Sequence, residues 1–420
     1  MKTSTVIYGL SLSATAVFLA ACGGSQPPIG AAGATSQASA RAASTGSTKY
    51  KIVYSFGSPP DGGCPAASLI DVGGTLYGTT SGGGAYTIDS DCFYHTGLYG
   101  TVFSITTGGK EHVLHSFGNY PDGSEPVAGL IDMHGTLYGT TMWGGGTAGG
   151  GGTVFSITTS GSENVLHGFQ GRKPDGDQPD ASLVELKGKL YGTTSIGGKH
   201  IDSGGTFFSL TTGGTEKVLH FFGGLEGANV FAGLINVGGV LYGTADHGGT
   251  YHKGVVFSLT PRGREKVLHS FGYGTDGAYP TASLIDVNGT LYGTTEFGGA
   301  YKSGTVFSIS TSGSEEVLHS FGYGSDGADP AASLIEVNGM LYGTTSEGGS
   351  YRCGRTTKYF NCGTVFSVTP SGTEEVLHSF SKGTDGTHPV APLIGLKGTL
   401  YGTTEYGGAN QNGTIFALTP

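Results

Sequence analysis

Acidic and histidine side chains are the residues of this 420-residue chain that could carry acid–base chemistry. One short segment combines both types outside the pattern of the surrounding sequence, with Asp246 and His247 adjacent and His252 close behind. A carboxylate and an imidazole can serve as general acid and general base, as in a carbohydrate-active hydrolase or lyase. Single loop histidines are more often simply solvated. We therefore keep these three as the catalytic candidates of an alternative interpretation, and the leading interpretation assigns no catalytic residue.

Six further histidines follow a regular pattern, with one in each repeated Val-Leu-His segment: His115, His167, His220, His269, His319 and His378. Because they lie about fifty residues apart in equivalent places, they cannot share one ion, and we interpret them as packed structural residues. The Asp-Gly pairs that follow them are typical turn residues. The chain has no phosphate-binding loop, no His-Glu-x-x-His motif and no nucleophile elbow. We expect no metal site and no cofactor.

These residues are carried by a unit of about fifty residues that recurs through the chain. The word Leu-Tyr-Gly-Thr marks seven copies, at Leu76, Leu137, Leu190, Leu241, Leu291, Leu341 and Leu400. In the most regular copy, β-branched residues predict strand A at 282–287, strand B at 290–295, strand C at 305–310 and strand D at 317–321. Each strand is apolar on both faces, so both faces of each sheet must be covered. The sequence therefore predicts an all-β fold, a seven-bladed β-propeller of four-stranded antiparallel blades.

Three local signals describe how such a ring is built. Asn288-Gly289 is typical of the two-residue hairpin between strands A and B. The glycine inside strand B, Gly293 in this copy, indicates a point of close packing. Residues 50–56 resemble strand D, while residues 413–419 at the end of the chain resemble strand C. We predict that the N-terminal strand joins the last blade and closes the ring without a free edge.

Length variation among the copies predicts which side of the ring is functional. The large insertions fall in the B–C connections, such as residues 81–99, 142–151 and 346–362, and smaller changes fall in the D–A connections. Both sets of connections lie at one end of the blades, and we call this side the loop face. Insertions in repeat proteins often form a binding face. Exposed aromatic residues suit stacking on sugars or on a polar protein surface, which makes these loop-face residues the ligand-binding candidates: Trp143, Tyr251, Tyr301 and Tyr351.

Four cysteines lie in connections of the loop face. They allow three pairings, and proximity favours Cys64 with Cys92 and Cys353 with Cys362. Disulfides are expected because the N-terminus indicates export to an oxidising compartment. A metal site is the alternative, but no Cys-x-x-Cys spacing supports it.

The N-terminal segment resembles the leader of a bacterial lipoprotein. Residues 1–21 contain one early lysine and an apolar run, and they end in Leu-Ala-Ala directly before Cys22. The resemblance implies cleavage before Cys22 and a lipid anchor on its thiol. Gly23 is not the aspartate that retains some lipoproteins at the inner membrane, so we expect the outer membrane of the cell envelope. Residues 22–48 then form the lipid anchor and a flexible linker, and residues 49–420 form the propeller.

Composition narrows the classes of partner. The formal net charge of −10 argues against a nucleic-acid partner, which would need a basic face. The chain has 81 glycines without a collagen triplet, which is typical of many short strands joined by tight turns. We expect a monomer that meets the membrane only through Cys22.

The unit TLYGTT…GG…GTVFS followed by VLHSF and DG resembles the GloVer tandem repeat of choice-of-anchor exported bacterial proteins. The resemblance covers about residues 50–420 and implies a surface-tethered β-propeller. It brings no established activity and no catalytic residues. Kelch and quinoprotein propellers carry a repeated tryptophan, whereas Trp143 is the only one here. We expect a binding or scaffold module for carbohydrate or protein, and the alternative is the carbohydrate-active enzyme described above.

Overall fold

The computed structural model describes residues 48–87, 99–118, 121–146, 150–171, 174–199, 204–323, 325–351, 362–381 and 383–420. These residues form seven four-stranded antiparallel sheets, six of them with their strands in sequence order. No helix occurs within the described ranges, so none there could cross a membrane. The predicted all-β, seven-bladed propeller is confirmed. The proposed leader, Cys22 and nearly all of the linker lie outside the described residues.

The strands of blades 1 to 6 follow the order A, B, C and D. Blades 1 and 2 contain Ile70–Val72, Thr75–Thr80, Thr101–Thr106, Glu111–Ser116, and Ile131–Met133, Thr136–Thr141, Thr153–Thr158, Glu163–Gly168. Blades 3 and 4 contain Val184–Leu186, Lys189–Thr194, Thr206–Thr211, Glu216–Phe221, and Ile235–Val237, Val240–Ala245, Val255–Leu259, Glu265–Ser270. Blades 5 and 6 contain Ile285–Val287, Thr290–Thr295, Thr305–Ser310, Glu315–Ser320, and Ile335–Val337, Met340–Thr345, Thr364–Val368, Glu374–Ser379.

Blade 7 is assembled from both ends of the described chain. Its strands A, B and C are Ile394–Leu396, Thr399–Thr404 and Thr414–Thr419, and its strand D is Lys49–Ser55. The N-terminal strand pairs antiparallel with the last one, with Tyr50 opposite Leu418. The predicted closure is therefore confirmed, and it leaves strand C of this blade paired on both sides.

Short pairings extend each blade on the loop face. Five are two-stranded sheets that join the D–A connection to the residues after strand B: Gly62–Gly63 with Gly82–Gly83, Gly123–Ser124 with Trp143–Gly144, Gly176–Asp177 with Ile196–Gly197, Gly277–Ala278 with Phe297–Gly298, and Gly327–Ala328 with Glu347–Gly348. Blades 4 and 7 have single bridges at the same place, Ala228 with His247 and Thr387 with Tyr406. The two kinds of connection are thereby fixed to each other.

The A–B hairpin and the glycine of strand B behave as predicted. Asn288 and Gly289 both have positive φ, 54° and 85°, as a type I′ turn requires. A Cβ atom on Gly293 would lie 2.6 Å from Cζ of Phe307 and 2.8 Å from Cδ2 of Leu284. No larger residue fits there unless these side chains move.

The core lies between the blades. Phe271, which follows strand D of blade 4, packs edge-on against Phe307 in strand C of blade 5, with ring centroids 5.1 Å apart. Equivalent phenylalanine pairs join all seven interfaces, including Phe56 with Phe103 and Phe380 with Phe416. Burial of one such ring stabilises the fold by about 1.5–3 kcal/mol. Each blade is thus held by its neighbours, and the closing strand completes the last interface.

Candidate functional site

One residue per blade, six positions before the first residue of strand A, has an unusual backbone conformation. These seven residues have φ between 54° and 60°, and we call them the inner ring: Cys64, Glu125, Gln178, Asn229, Tyr279, Asp329 and His388. Positive φ is costly for a residue with a side chain and persists only where the surrounding structure enforces it. The inner ring was not predicted. Its sequence signal is a position that changes type in every repeat while its neighbours recur.

Two hydrogen bonds hold each member of the inner ring. The N–H of Asp329 donates to the carbonyl of Ser303 in the preceding blade at 2.9 Å, and the N–H of Ser346 donates to the carbonyl of Asp329 at 3.0 Å. The other members repeat this arrangement. Each residue therefore links the B–C connection of one blade to the end of strand B in the next. These bonds fix the backbone at this position, while the type of side chain differs from blade to blade.

The inner ring lies beside the central channel, which is narrow. Strands A of neighbouring blades contact each other, and the channel is lined by small residues such as Ser68, Gly129, Ser182 and Ser283. Its cavity of about 110 Å³ is below the usual size of a small-molecule site. A ligand of the size of a sugar must therefore bind outside the channel.

Carboxylates of neighbouring B–C and D–A connections influence one another on the loop face of blades 4 to 7. Burial, followed by the charges of Glu347 and Glu296, raises the pKa of Asp329 to about 7. Burial also raises the pKa of Glu296, with Asp246 and Glu347 adding to the effect. Nδ1 of His388 lies 2.8 Å from Oε2 of Glu405, as expected for a hydrogen bond to a carboxylate. This region combines proton donors and acceptors in one place.

The structure brings together two of the three predicted catalytic candidates. Nδ1 of His247 lies 2.7 Å from Oδ1 of Asp246, whose side chain is mostly buried. Burial raises the pKa of Asp246, and its hydrogen bond to His247 acts in the opposite direction. The side chain of His252 is exposed in the next turn, and among the described contacts none joins it to the other two.

Two residues beside this pair were not predicted as site residues. The ring of Tyr279 lies 5.5 Å from that of His247. The Nζ of Lys253 donates to the hydroxyl of Tyr279 at 2.5 Å. Tyr279 belongs to the inner ring of blade 5, so the cluster spans two blades. Sequence reasoning missed it because Tyr279 belongs to the next D–A connection, although Lys253 lies in the same B–C connection as the pair.

The four predicted ligand-binding aromatics lie on the loop face, at two different positions of the B–C connections. Trp143, 40% exposed, directly follows strand B of blade 2 and pairs with Ser124, the neighbour of an inner-ring residue. Tyr251, Tyr301 and Tyr351 are 45%, 51% and 54% exposed, and they lie further along their B–C connections.

Two of these tyrosines pack on tyrosines of the D–A connections. Tyr301 lies 5.6 Å from Tyr323, and Tyr251 lies 5.9 Å from Tyr273, measured between ring centroids. Both partners are 74% exposed, so each pair offers open aromatic surface.

A cavity of about 550 Å³ lies beneath the Tyr301–Tyr323 pair. Its lining includes His319 from strand D of blade 5, Asp326 from the D–A connection and Glu374 from strand D of blade 6. We call it the rim cleft because strand D is the outermost strand. Its volume lies within the range typical of small-molecule sites. It combines aromatic rings with charged groups.

Two of the four predicted disulfide cysteines can be placed. Cys64 and Cys362 are fully buried on the loop face. Cys92 and Cys353 lie outside the described residues. The pairing stays a prediction.

Two solved structures are similar to this chain at low sequence identity. Virginiamycin B lyase from Staphylococcus aureus is 11% identical with a TM-score of 0.56, over 89% of this chain and 99% of that chain. Quinohemoprotein alcohol dehydrogenase from Comamonas testosteroni is 12% identical with a TM-score of 0.49, over 89% of this chain and 76% of that chain. At such identity the likeness concerns the fold alone. A comparison with curated proteins found no significant match.

The sequence also matches a family model in tandem. The model describes the Gloeobacter/Verrucomicrobia repeat, and it matches residues 92–295, 173–359 and 274–420. Together these segments cover most of the propeller, in agreement with the repeat recognised from the sequence. The chain belongs to the Gloeobacter/Verrucomicrobia repeat family.

Proposed function

We propose that this protein is a lipid-anchored binding module of the cell envelope that captures carbohydrate through its loop face. The observation that carries the proposal is the Tyr301–Tyr323 pair over the rim cleft, which the Tyr251–Tyr273 pair repeats one blade earlier. The anchor is Cys22, and the linker that follows gives the propeller reach from the outer membrane. A protein ligand is the competing possibility.

The chemistry of the rim cleft suits a sugar better than an apolar ligand. Tyrosine offers a flat apolar face for the C–H side of a sugar ring and a hydroxyl for hydrogen bonds. The Asp326 carboxylate at the same cleft can accept hydrogen bonds from sugar hydroxyls. Two equivalent tyrosine pairs on adjacent blades would bind neighbouring units of one glycan chain, and two linked contacts raise the overall affinity.

A glycan array probed with the purified protein tests the proposal, followed by variants titrated against the glycan that binds. Replacing Tyr301 and Tyr323 by alanine should weaken binding at least about 30-fold, since loss of a well-packed aromatic contact costs about 2 kcal/mol or more. Asn288→Ala and Ser312→Ala, in A–B and C–D turns opposite the loop face, are the matched controls. Binding lost in the controls and kept in the tyrosine variant would place the site on the opposite side. Binding to a protein array and not to the glycan array would favour a protein ligand.

A second candidate function is hydrolysis or elimination on a bound glycan, and the Asp246–His247 pair favours it. Asp246 would orient His247 as general base, with the Lys253–Tyr279 pair beside them as a proton donor. His252 is a candidate only because it is close in sequence, and no described contact joins it to Asp246 or His247. One structural neighbour, the virginiamycin B lyase, is an enzyme on the same fold. Glycan fragments released by the protein and not by His247→Ala would support this candidate. Glycan binding without release of fragments would reject the enzyme and support the binding module.

A further inference from the structure

Three side chains of two adjacent blades meet in the same way at five blade interfaces. The histidine comes from strand D, the first acid from the D–A connection that follows, and a glutamate from strand D of the next blade. We call these groups the interface triads: His115–Asp122–Glu163, His167–Asp175–Glu216, His220–Glu226–Glu265, His269–Asp276–Glu315 and His319–Asp326–Glu374. In each triad one nitrogen and two carboxylate oxygens lie within 4.8 Å of one another.

Each interface triad contains a buried oxygen without a partner. Oε1 of each triad glutamate is shielded from solvent and accepts no hydrogen bond from the described residues: Glu163, Glu216, Glu265, Glu315 and Glu374. Oε1 of Glu111, the equivalent glutamate at the first interface, shares this state. Nε2 of His167 and of His220 is likewise buried without a hydrogen bond. An unsatisfied buried polar atom is destabilising by about 1–3 kcal/mol, so these glutamates need a small partner. At five interfaces a histidine nitrogen and a second carboxylate oxygen lie close enough to share that partner, whereas at the first interface the histidine is absent.

The candidates for that partner are a proton and a metal ion. A carboxylate oxygen of Glu374 and one of Asp326 lie within 4.8 Å of each other, so two negative groups meet without a fixed positive charge beside them among the described residues. A divalent cation supplies that charge and accepts lone pairs from all three groups at once. A proton satisfies one oxygen and leaves Nε2 of His167 and of His220 without a hydrogen bond, at 3.8 Å and 3.5 Å from the nearest acid oxygen.

We propose that each interface triad binds a divalent transition-metal ion, of which Zn²⁺ is the representative, and that the ion ties two blades together. Imidazole nitrogen and carboxylate oxygen are both ligands of Zn²⁺, and three of them leave a fourth position for water. Hard ions such as Ca²⁺ prefer six to eight oxygen ligands, which three side chains with one nitrogen do not supply.

The distances require only small side-chain movements. Ligand atoms about 2.1 Å from a tetrahedral ion are roughly 3.4 Å apart. Nε2 of His319 already lies 3.0 Å from Oδ2 of Asp326, and Nε2 of His269 lies 3.0 Å from Oδ2 of Asp276. An ion would enter between such a pair and draw in the glutamate. The triad of His319 lines the rim cleft, so an ion can reach it from solvent.

The two remaining interfaces lack one ligand each and serve as internal controls. At the first interface Tyr54 replaces the histidine, and its hydroxyl donates to Oδ2 of Asp61 at 2.8 Å. At the last interface Tyr50 replaces the glutamate and stacks on His378. Neither tyrosine is a usual zinc ligand, so the structure assigns five sites rather than seven.

Zinc titration of tag-free, chelator-stripped protein tests the proposal without any reference to carbohydrate. Stoichiometry measured against a competing dye should approach five ions per chain. Glu374→Gln should lower it by one ion, because the amide is a poor ligand of the same size. The matched control Glu111→Gln changes the equivalent glutamate at the first interface, which lacks the histidine, and should leave the stoichiometry unchanged.

Zinc should also raise the melting temperature, and it should raise it less in Glu374→Gln than in Glu111→Gln. Binding of less than about one ion per chain would overturn the proposal and leave a proton as the partner of Glu374. A stoichiometry that Glu374→Gln does not change would overturn it as well, since the ions would then bind surface histidines. If the wild-type protein binds zinc at the expected stoichiometry but binds no glycan, the proposed function is contradicted and the zinc sites are not.

Discussion

Tyr50 stacks on His378, with ring centroids 3.7 Å apart and an angle of 7° between the rings. The two residues are more than three hundred positions apart in sequence, and they join strand D of blade 7 to strand D of blade 6. The Tyr50 hydroxyl donates to the carbonyl of Asp385 at 2.7 Å. Burial raises the pKa of Tyr50, so the hydroxyl keeps its proton. The first described strand is thus held by specific contacts as well as by pairing.

Tyr50→Ala should destabilise the whole ring, because it removes the stack, a hydrogen bond and part of the last core. The expected loss is about 2–4 kcal/mol of unfolding free energy, measured by urea denaturation. Lys51→Ala, an exposed neighbour on the same strand, is the control and should change little. Deletion of residues 49–57 should lower the melting temperature further. An unchanged melting temperature after deletion would show that another element closes the ring.

Gly293→Ala should destabilise the protein by about 1–3 kcal/mol, the usual effect of overpacking. The added Cβ would lie 2.6 Å from the Phe307 ring, which is itself held by Phe271 of the preceding blade. Gly223→Ala is the matched control, since a Cβ there meets no atom within 4 Å and its φ is not positive. Equal melting temperatures for the two variants would contradict the close packing inside strand B.

The loop-face cysteines should form the disulfides Cys64–Cys92 and Cys353–Cys362 in the exported protein. Each would close an insertion and stabilise it by restricting the unfolded chain. Peptide mapping without reduction should recover both linked peptides. Four free thiols, or crossed pairs, would show that proximity in sequence misled the assignment.

Stability should fall as pH rises from about 4 to 7, in part through Asp180 beside the central channel. Burial raises the pKa of Asp180 from 3.8 to about 7, so the folded state holds a proton there that the unfolded state has lost. The folded form is therefore favoured most at low pH, and this contribution disappears as pH passes 7. Asp180→Asn should reduce the difference in unfolding free energy between pH 5 and pH 8. Glu185→Gln changes an exposed residue and should keep the wild-type difference in unfolding free energy. If both variants show the same difference between pH 5 and pH 8, Asp180 is not the group responsible.

Properties that repeat along the chain could be predicted from the sequence. The spacing of Leu-Tyr-Gly-Thr determined the number of blades, because each copy folds by local pairing into one sheet. Asn288-Gly289 predicted its hairpin since only a few residue types tolerate positive φ. The likeness of residues 50–56 to strand D predicted the closure, because the last copy lacked that strand.

Relations between blades were decided only by the tertiary structure. His319 and Asp326 belong to one repeat and Glu374 to the next. The spacing of the repeats in sequence does not predict that these side chains meet. Trp143 and Tyr301 both lie in B–C connections, yet one pairs beside the inner ring and the other packs above the rim cleft. Asp246 contacts His247 but not His252 among the described contacts, because the glycine turn between them redirects the chain. The sequence by itself determined the repeated unit through local pairing and packing. Which side chains of one blade meet those of the next depends on the rotation between blades about the propeller axis. Only the assembled ring determines that rotation.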